Sequence, residues 1–322
     1  GQVLLASIFT RRRKYSEALK LLQEACSIDP ADFDTSLALA RLFLATRRYS
    51  DATQIAQKAV ALRPSSKEAY FILAKASDSA GDREQAVNAL RRAIQLDPQD
   101  ACLHHILADV LSDLARYDEA LEVATRGVEL DSRHIPGLMA LIKALSLVGS
   151  FDQALRCIRN AIAMSPRLSI LYNVKGHTLL ELGDYDQALA AYQKASELAP
   201  KNNHYLTDTA SCLAQIGRFD EAFDLCRKAL AANPRSAVIH DNLGKIYSKK
   251  HDFQSALSSF RKASELDPKF PPALGNIAAC LNNMGQFDDA VQFAKKAIQI
   301  YPTYADPYRV LAFSFNLFIS NT

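Results

Sequence analysis

The sequence predicts an all-α fold built from repeated pairs of antiparallel helices, and two observations support this prediction. Proline recurs at intervals of 34 residues, and once 68, at positions 30, 64, 98, 166, 200, 234, 268 and 302. Apolar residues also recur twice within each period at three- and four-residue spacing, which is typical of two amphipathic helices. A fixed period of this length indicates an array of stacked helical repeats.

The period divides the chain into repeats, whose 34 places are counted here from residues 33, 67, 101 and so on. We expect residues 1-32 to form a truncated first repeat and residues 33-304 to form eight full repeats. Residues 305-322 are expected to supply only the first helix of a further repeat and to lead into a downstream segment.

Each element of the repeat has a physical reason. Glycine at place 15, as in Gly81 and Gly183, favours the left-handed backbone that ends a first helix. Proline at place 32 prevents the second helix from continuing. Alanine occupies place 20 in all nine copies, and small residues dominate places 8 and 27. Small side chains at these places predict close helix packing, with the place-17 aromatic residue filling the space beside them.

One junction departs from this pattern. Gly127 replaces the usual alanine at place 27, Ser132 replaces the proline, and Ile142 replaces a small residue at place 8. The loss of a methyl group at one site and the gain of bulk at another lead us to expect a bend or loosening of the array between residues 127 and 142.

Composition excludes several classes of function. The net charge of +3 and the absence of long runs of like charge argue against a nucleic-acid-binding protein. No apolar stretch is long enough for membrane insertion. The six cysteines lie far apart without a C-x-x-C pair, which predicts neither a disulfide framework nor a zinc motif and favours a cytoplasmic location.

The strings LGDYDQAL (182–189) and ASELAP (195–200) resemble the tetratricopeptide repeat, and the match extends over essentially the whole chain. The resemblance implies a right-handed superhelical solenoid of antiparallel helix pairs. It also implies that first helices line a concave groove that receives peptides or partner helices.

No motif for catalysis or for a cofactor is found. Gly244-Lys245 lacks the rest of a phosphate-binding loop. His104 and His105 are adjacent, so on a helix they point about 100° apart and cannot bind one metal ion together. Cys212 and Cys280 share place 10, which indicates a packing role. We therefore predict no enzymatic activity, no cofactor and no metal for these 322 residues. This prediction does not extend to a larger protein that contains them.

The first-helix places that packing does not require are the candidates for partner binding. Toward the C-terminal end they are rich in amides and bases, and the middle of the chain adds a histidine and an acid. The predicted groove residues are Asn242, Lys245, Lys249, Asn276, Asn282, Asn283, Arg309, His177 and Asp208. Asparagine can bond both peptide N–H and C=O, and nearby cations suit acidic side chains or a terminal carboxylate. The alternative is that these are ordinary solvated residues.

We predict an interaction scaffold that binds segments of other proteins. One alternative is the substrate-recruiting arm of a larger enzyme, because residues 315–321 faintly resemble the segment that precedes the catalytic half of O-GlcNAc transferase-like glycosyltransferases. The other is a self-associating array, because residues 310-319 are apolar nearly all round and need a cover, which a downstream domain would also provide.

Overall fold

The computed structural model describes residues 1–300 and 307–312 of the chain, and within these residues all regular secondary structure is helical, which confirms the all-α prediction. The first helices of the pairs are α1 (Gln2–Arg11), α3 (Phe33–Ala45), α5 (Lys67–Ala80), α7 (Ala101–Asp113), α9 (Ile135–Leu147), α11 (Ser169–Leu182), α13 (Asn203–Gln215), α15 (Ala237–Lys249) and α17 (Pro271–Asn283). The second helices are α2 (Tyr15–Ile28), α4 (Tyr49–Leu62), α6 (Arg83–Leu96), α8 (Tyr117–Leu130), α10 (Phe151–Met164), α12 (Tyr185–Leu198), α14 (Phe219–Ala232), α16 (Phe253–Leu266) and α18 (Phe287–Ile300). Residues 307–312 are also helical.

The chain divides into two compact units. The N-terminal unit runs from Gly1 to Met164 and contains α1 to α10, and the C-terminal unit begins at Ser165 and contains α11 to α18. Within each unit a helix packs against the next one in the chain, and successive first helices also meet, as α7 meets α9 and α13 meets α15.

The turn inside each helix pair is set by place 15. The five glycines there have φ between 76° and 91°, in the left-handed region that glycine adopts without strain. The same conformation is adopted by the residues that replace glycine, namely Arg13, Arg47, Ala115 and His251, with φ between 59° and 63°. The chain therefore reverses through a left-handed residue in each helix pair, whether or not that residue is glycine.

The start of each first helix is set by place 34. Asp32, Ser66, Asp100, Asn202 and Ser236 each accept a hydrogen bond from a backbone N–H of the following helix. Such caps satisfy amides that have no partner within the helix. His134, Leu168 and Phe270 occupy the same place before α9, α11 and α17 but make no capping bond.

Small residues form the centre of each repeat. Every place-20 alanine, from Ala18 to Ala290, is fully buried. Two repeats carry glycine at place 8 because an aromatic ring from place 24 lies against the helix. A Cβ on Gly176 would stand 2.6 Å from the Tyr192 ring, and a Cβ on Gly244 would stand 2.5 Å from the Phe260 ring.

At the irregular junction the two altered packing sites, Gly127 and Ile142, are both filled. A Cβ at Gly127 would lie 3.0 Å from the Cβ of His104, so the buried histidine takes the space of the missing methyl group. Ile142 is itself fully buried within the continuous helix α9. The packing defects that led us to expect a bend or loosening between residues 127 and 142 are therefore compensated locally.

The expected apolar ending is only partly within the described residues. Val310 is buried and Leu311 is half-buried, and both belong to a core cluster with Cys280 and Leu281. Residues 313–322 lie outside the described residues. They include most of the apolar stretch 310–319 and all of the stretch 315–321.

Candidate partner-binding groove

An open pocket of about 740 Å³ lies in the C-terminal unit, where three successive first helices run side by side. Helix α13 contributes Ser211, Ala214 and Gln215, α15 contributes Lys245, Ile246, Ser248 and Lys249, and α17 contributes Asn276, Ala279, Cys280 and Asn283. His251, Phe253 and Phe260 complete the lining. We call the polar face of this pocket the amide-lysine groove and define it by Lys245, Lys249, Asn276 and Asn283.

The repeat explains why these side chains meet. Lys245 and Ala279 share place 9 with Ser211, and one helical turn later Lys249 and Asn283 share place 13 with Gln215. Residues four apart lie on the same face of a helix, and the 34-residue period repeats that face on each neighbour. Two rows of side chains therefore run across the three helices.

The groove combines an apolar base with a polar, basic rim. Ile246, Phe260 and Cys280 are buried, whereas Lys245, Lys249 and Asn283 are exposed. Among the described residues that line the pocket, none carries a carboxylate. The surface that it offers to solvent is therefore positive and rich in amide and hydroxyl groups.

A buried carboxylate organises this rim from behind. Asp241 is only 2% exposed, and its Oδ2 lies 2.7 Å from Lys245 Nζ. Its Oδ1 accepts a hydrogen bond from Asn276 Nδ2 at 2.7 Å. A buried carboxylate is costly unless it is paired and hydrogen-bonded, so these bonds fix the positions of the Lys245 and Asn276 side chains. They also offset part of the positive charge of Lys245.

Lys249 differs from Lys245 in this respect. It is exposed and lines the pocket, and its side chain makes no ion pair or hydrogen bond with any residue in the described part of the chain. Lys249 is therefore the cation of the groove whose charge no described residue offsets.

Two other predicted residues form a separate cluster on α11 and α13. His177 Nε2 lies 3.6 Å from Asp208 Oδ2, and the same oxygen accepts a hydrogen bond from Asn173 Nδ2 at 2.7 Å. The His177 ring also packs edge-on against Tyr192. These side chains satisfy one another and do not line the amide-lysine groove.

The remaining three predicted residues are not among the groove's lining. Asn242 and Asn282 are half-buried, and Arg309 is exposed within residues 307–312. The structure thus brings together four of the nine predicted residues, pairs two others with each other, and leaves three outside.

The residues that sequence reasoning missed are Asp241 and Asn173, which lie at place 5 and are both buried. Each bonds to place 6 of the following repeat, 35 residues later, where Asn276 and Asp208 stand. The sequence signal for this pairing was an asparagine and an aspartate 35 residues apart, at places 5 and 6 of successive repeats.

The buried cysteines of this unit have a structural role. Cys212 Sγ donates to the Tyr185 carbonyl and Cys280 Sγ donates to the Phe253 carbonyl, each 27 residues away. Burial raises the pKa of Cys212 and that of Cys280 to about 11. Neither thiol is therefore suited to nucleophilic chemistry near neutral pH.

Helices that could cross a bilayer were sought among the described residues, and none combines the required length and apolar character. One group of potential metal ligands, Cys102, His105 and His134, occurs in the N-terminal unit.

Comparison with known proteins identifies the repeat. Profiles of the tetratricopeptide repeat match residues 10–77 and 247–312 in one case and residues 173–237 in another, together more than half of the chain. The profile of anaphase-promoting complex, cyclosome, subunit 3 matches residues 45–127. No curated protein matches the sequence significantly.

Solved structures share the fold at low sequence identity. A chain of the APC/C hetero-tetramer Cut9-Hcn1 has a TM-score of 0.56 and 15% identity, and the match covers 97% of this chain and 62% of that one. A tetratricopeptide repeat protein from Parabacteroides merdae ATCC 43184 has a TM-score of 0.64 and 16% identity, over 77% of this chain and 98% of that one. The repeat frame, the helix pairs and these matches together show that the chain belongs to the tetratricopeptide repeat family.

Proposed function

We propose that this chain is a protein-interaction scaffold whose amide-lysine groove binds an extended, acidic segment of a partner protein. The observation that supports this proposal is the open pocket on α13, α15 and α17, with two lysines and several amides and no carboxylate among its described lining residues.

The polar rim suits a peptide main chain. Asn283 is exposed, and its amide can donate to a peptide C=O and accept from a peptide N–H. Asn276 uses one N–H on Asp241, which leaves its carbonyl oxygen and its other N–H for a ligand. Main-chain bonds of this kind tolerate many sequences, so selectivity must come from charge and from the apolar base.

The charge selectivity is assigned mainly to Lys249. Lys245 is already paired with Asp241, whereas Lys249 has no acidic partner among the described residues. An acidic side chain or a terminal carboxylate of the partner would supply the missing charge. The buried Asp241 holds Lys245 and Asn276 in place before binding, which lowers the ordering cost of association.

The test is binding of a labelled peptide of glutamate and alanine to the full chain, measured by fluorescence anisotropy at several salt concentrations. Lys249→Ala should weaken binding about fivefold, since an exposed ion pair contributes up to about 1 kcal/mol. Lys249→Glu should weaken binding further, and both changes should flatten the salt dependence. The matched control is Lys296→Ala, which removes an exposed lysine of α18 outside the groove and should leave binding unchanged.

A peptide in which glutamine replaces every glutamate should bind weakly to the original chain and equally weakly to Lys249→Ala. Equal affinity of the acidic and glutamine peptides, or equal losses from Lys249→Ala and Lys296→Ala, would show that the groove does not select acidic segments. The alternatives of an enzyme's recruiting arm and of self-association rest on residues 310-321, most of which lie outside the described residues, and no further observation supports them.

A further inference from the structure

Three potential metal ligands meet in the N-terminal unit, at the starts of α7 and α9. One ligand atom from each of Cys102, His105 and His134 lies within 4.8 Å of the other two. Cys102 Sγ is 3.7 Å from His134 Nε2, and the two imidazole rings have centroids 4.9 Å apart. Thiolate and imidazole are the ligands that zinc prefers in proteins.

The fold explains the meeting. Cys102 and His105 are three residues apart on α7 and so share one face of that helix. His134 stands immediately before α9, which packs against α7. His104 points elsewhere, because its Nδ1 bonds to the Asp100 carbonyl at 3.0 Å. The adjacent histidines diverge as the sequence predicted, but the partners of His105 are one turn earlier on the helix and at the last place of the same repeat, immediately before α9.

The His134 ring is not used for capping. Five residues at this place cap the next helix, whereas His134, like Leu168 and Phe270, makes no capping bond. Its ring also needs space, because a Cβ at Gly137 would lie 3.1 Å from His134 Nδ1. Helix α9 therefore has no side-chain cap, and the imidazole of His134 lies beside Cys102.

A ring nitrogen of the cluster lacks a partner within the described part of the protein. The Nδ1 atom of His105 is buried and has no hydrogen-bond partner among the described residues. Buried polar atoms without a partner are rare in native proteins, and such an atom is available to a bound ion.

We propose that Cys102 Sγ, one ring nitrogen of His105 and Nε2 of His134 bind a divalent transition-metal ion of the zinc class. A tetrahedral zinc with standard bond lengths sets its sulfur and nitrogen ligands about 3.5 Å apart, close to the observed sulfur–nitrogen distance. Binding releases the Cys102 thiol proton to solvent. Cys102 is exposed, so the fourth position is open to water or to a side chain of a partner protein.

Such an ion would join two consecutive repeats. It would bind α7 through two ligands and the start of α9 through the third, at the junction that contains Ser132 where most repeats have proline. Metal binding would therefore stabilise the N-terminal unit as a cross-link between neighbouring repeats.

The test uses the full chain and cobalt(II), which reports thiolate coordination through a charge-transfer band in the near ultraviolet. The purified, metal-free chain should bind one equivalent of Co²⁺ with this band, and one equivalent of Zn²⁺ should abolish it by displacement. Cys102→Ser should remove the band and weaken Zn²⁺ binding by more than the roughly 10–100-fold that loss of an outer-shell partner costs. Because Cys102 is exposed, this substitution should not disturb folding, which circular dichroism verifies.

The matched controls are Cys26→Ser and His204→Ala, which remove a cysteine and a histidine outside the cluster and should leave the band and the stoichiometry unchanged. A second readout is thermal unfolding, in which Zn²⁺ should raise Tm of the original chain and of both controls but not of Cys102→Ser. The proposal is overturned if the original chain shows no thiolate band with Co²⁺. It is also overturned if Cys102→Ser binds Zn²⁺ as tightly as Cys26→Ser.

Discussion

The two compact units use the same repeat frame but fill the facing places of their first helices differently. In the N-terminal unit two pairs at places 5 and 6 of successive repeats are apolar, namely Leu37 with Ile72 and Phe71 with Ile106. In the C-terminal unit two such pairs are hydrogen-bonded, namely Asn173 with Asp208 and Asp241 with Asn276. The repeat therefore accepts either apolar packing or polar bonds at these two places.

The cations of the first helices can also be compared by whether they have a partner within the protein. In the N-terminal unit the place-9 cations have partners within the protein. Arg41 pairs with Glu68, Lys143 lies 3.0 Å from Asp113, and Lys75 stands over the Phe71 ring. In the C-terminal unit the place-9 lysine, Lys245, is also paired, with Asp241, whereas Lys249 at place 13 has no such partner among the described residues. The contrast between the units at these two places is therefore confined to Lys249.

The cysteines give the largest contrast that an experiment can test. Cys26, Cys102 and Cys157 in the N-terminal unit are at least partly accessible, whereas Cys212, Cys226 and Cys280 are buried. Burial raises the pKa of Cys226 to about 12 and that of the other two to about 11. At pH 8 a thiol with such a pKa is ionised to about one part in a thousand or less. We expect iodoacetamide to modify Cys102 of the metal-free chain at least a hundredfold faster than these three, as measured by peptide mass spectrometry. Comparable rates in the folded chain would contradict the burial described here.

The polar pairing of the C-terminal unit can be broken and then replaced. Asn276→Ile should destabilise that unit by about 3 kcal/mol, because Asp241 loses a hydrogen bond and remains buried with its charge. The double variant Asp241→Leu with Asn276→Ile recreates the pairing of Leu37 with Ile72 and should recover most of the loss. Urea denaturation followed by circular dichroism measures both variants, and a double variant no more stable than the single one would show that the two pairings are not interchangeable.

The pair of Gly244 and Phe260 allows a similar exchange, with a smaller expected loss of stability. Gly244→Ala should destabilise the C-terminal unit by about 2 kcal/mol, since the new Cβ would meet the Phe260 ring. The N-terminal unit combines alanine with leucine at these places, in Ala74 and Leu90. Adding Phe260→Leu to Gly244→Ala reproduces that combination and should restore stability in the same urea titration. Equal stability of Gly244→Ala and the original chain would instead mean that the ring moves freely.

The smallest expected effect concerns the turns. Ala115 has φ of 59° at place 15, where Gly81 has φ of 91° in the preceding repeat. Ala115→Gly should stabilise the N-terminal unit by about 1 kcal/mol, because the left-handed conformation costs a residue with a Cβ roughly 1–2 kcal/mol and glycine gives back part of this through its entropy. Differential scanning calorimetry should show a higher Tm, and Gly81→Ala should show the opposite shift.

The features that could be predicted from sequence are those that repeat at one place. Alanine at place 20 and glycine at place 15 predicted the buried centre and the turn, and the first-helix places that packing does not require included Lys245, Lys249 and Asn283. Interactions that join different places of neighbouring repeats were missed, because each residue appears ordinary within its own repeat. Asp241, for example, is buried and accepts a hydrogen bond from Asn276, which lies 35 residues later in the next repeat. The grouping of Cys102 with His134 was missed because it joins the second place of one helix to a residue that precedes another.

The compensation between Gly244 and Phe260 lies inside one repeat, and this location bears on how such a chain can grow. A duplication that copies residues 237–270 carries the glycine together with the ring that requires it, so the copy arrives already self-consistent. A recombination point between the two helices would separate them and leave either a clash or a void. Helix pairs cut at the inter-pair turn are therefore the cassettes that can be gained or lost with the least disturbance of packing.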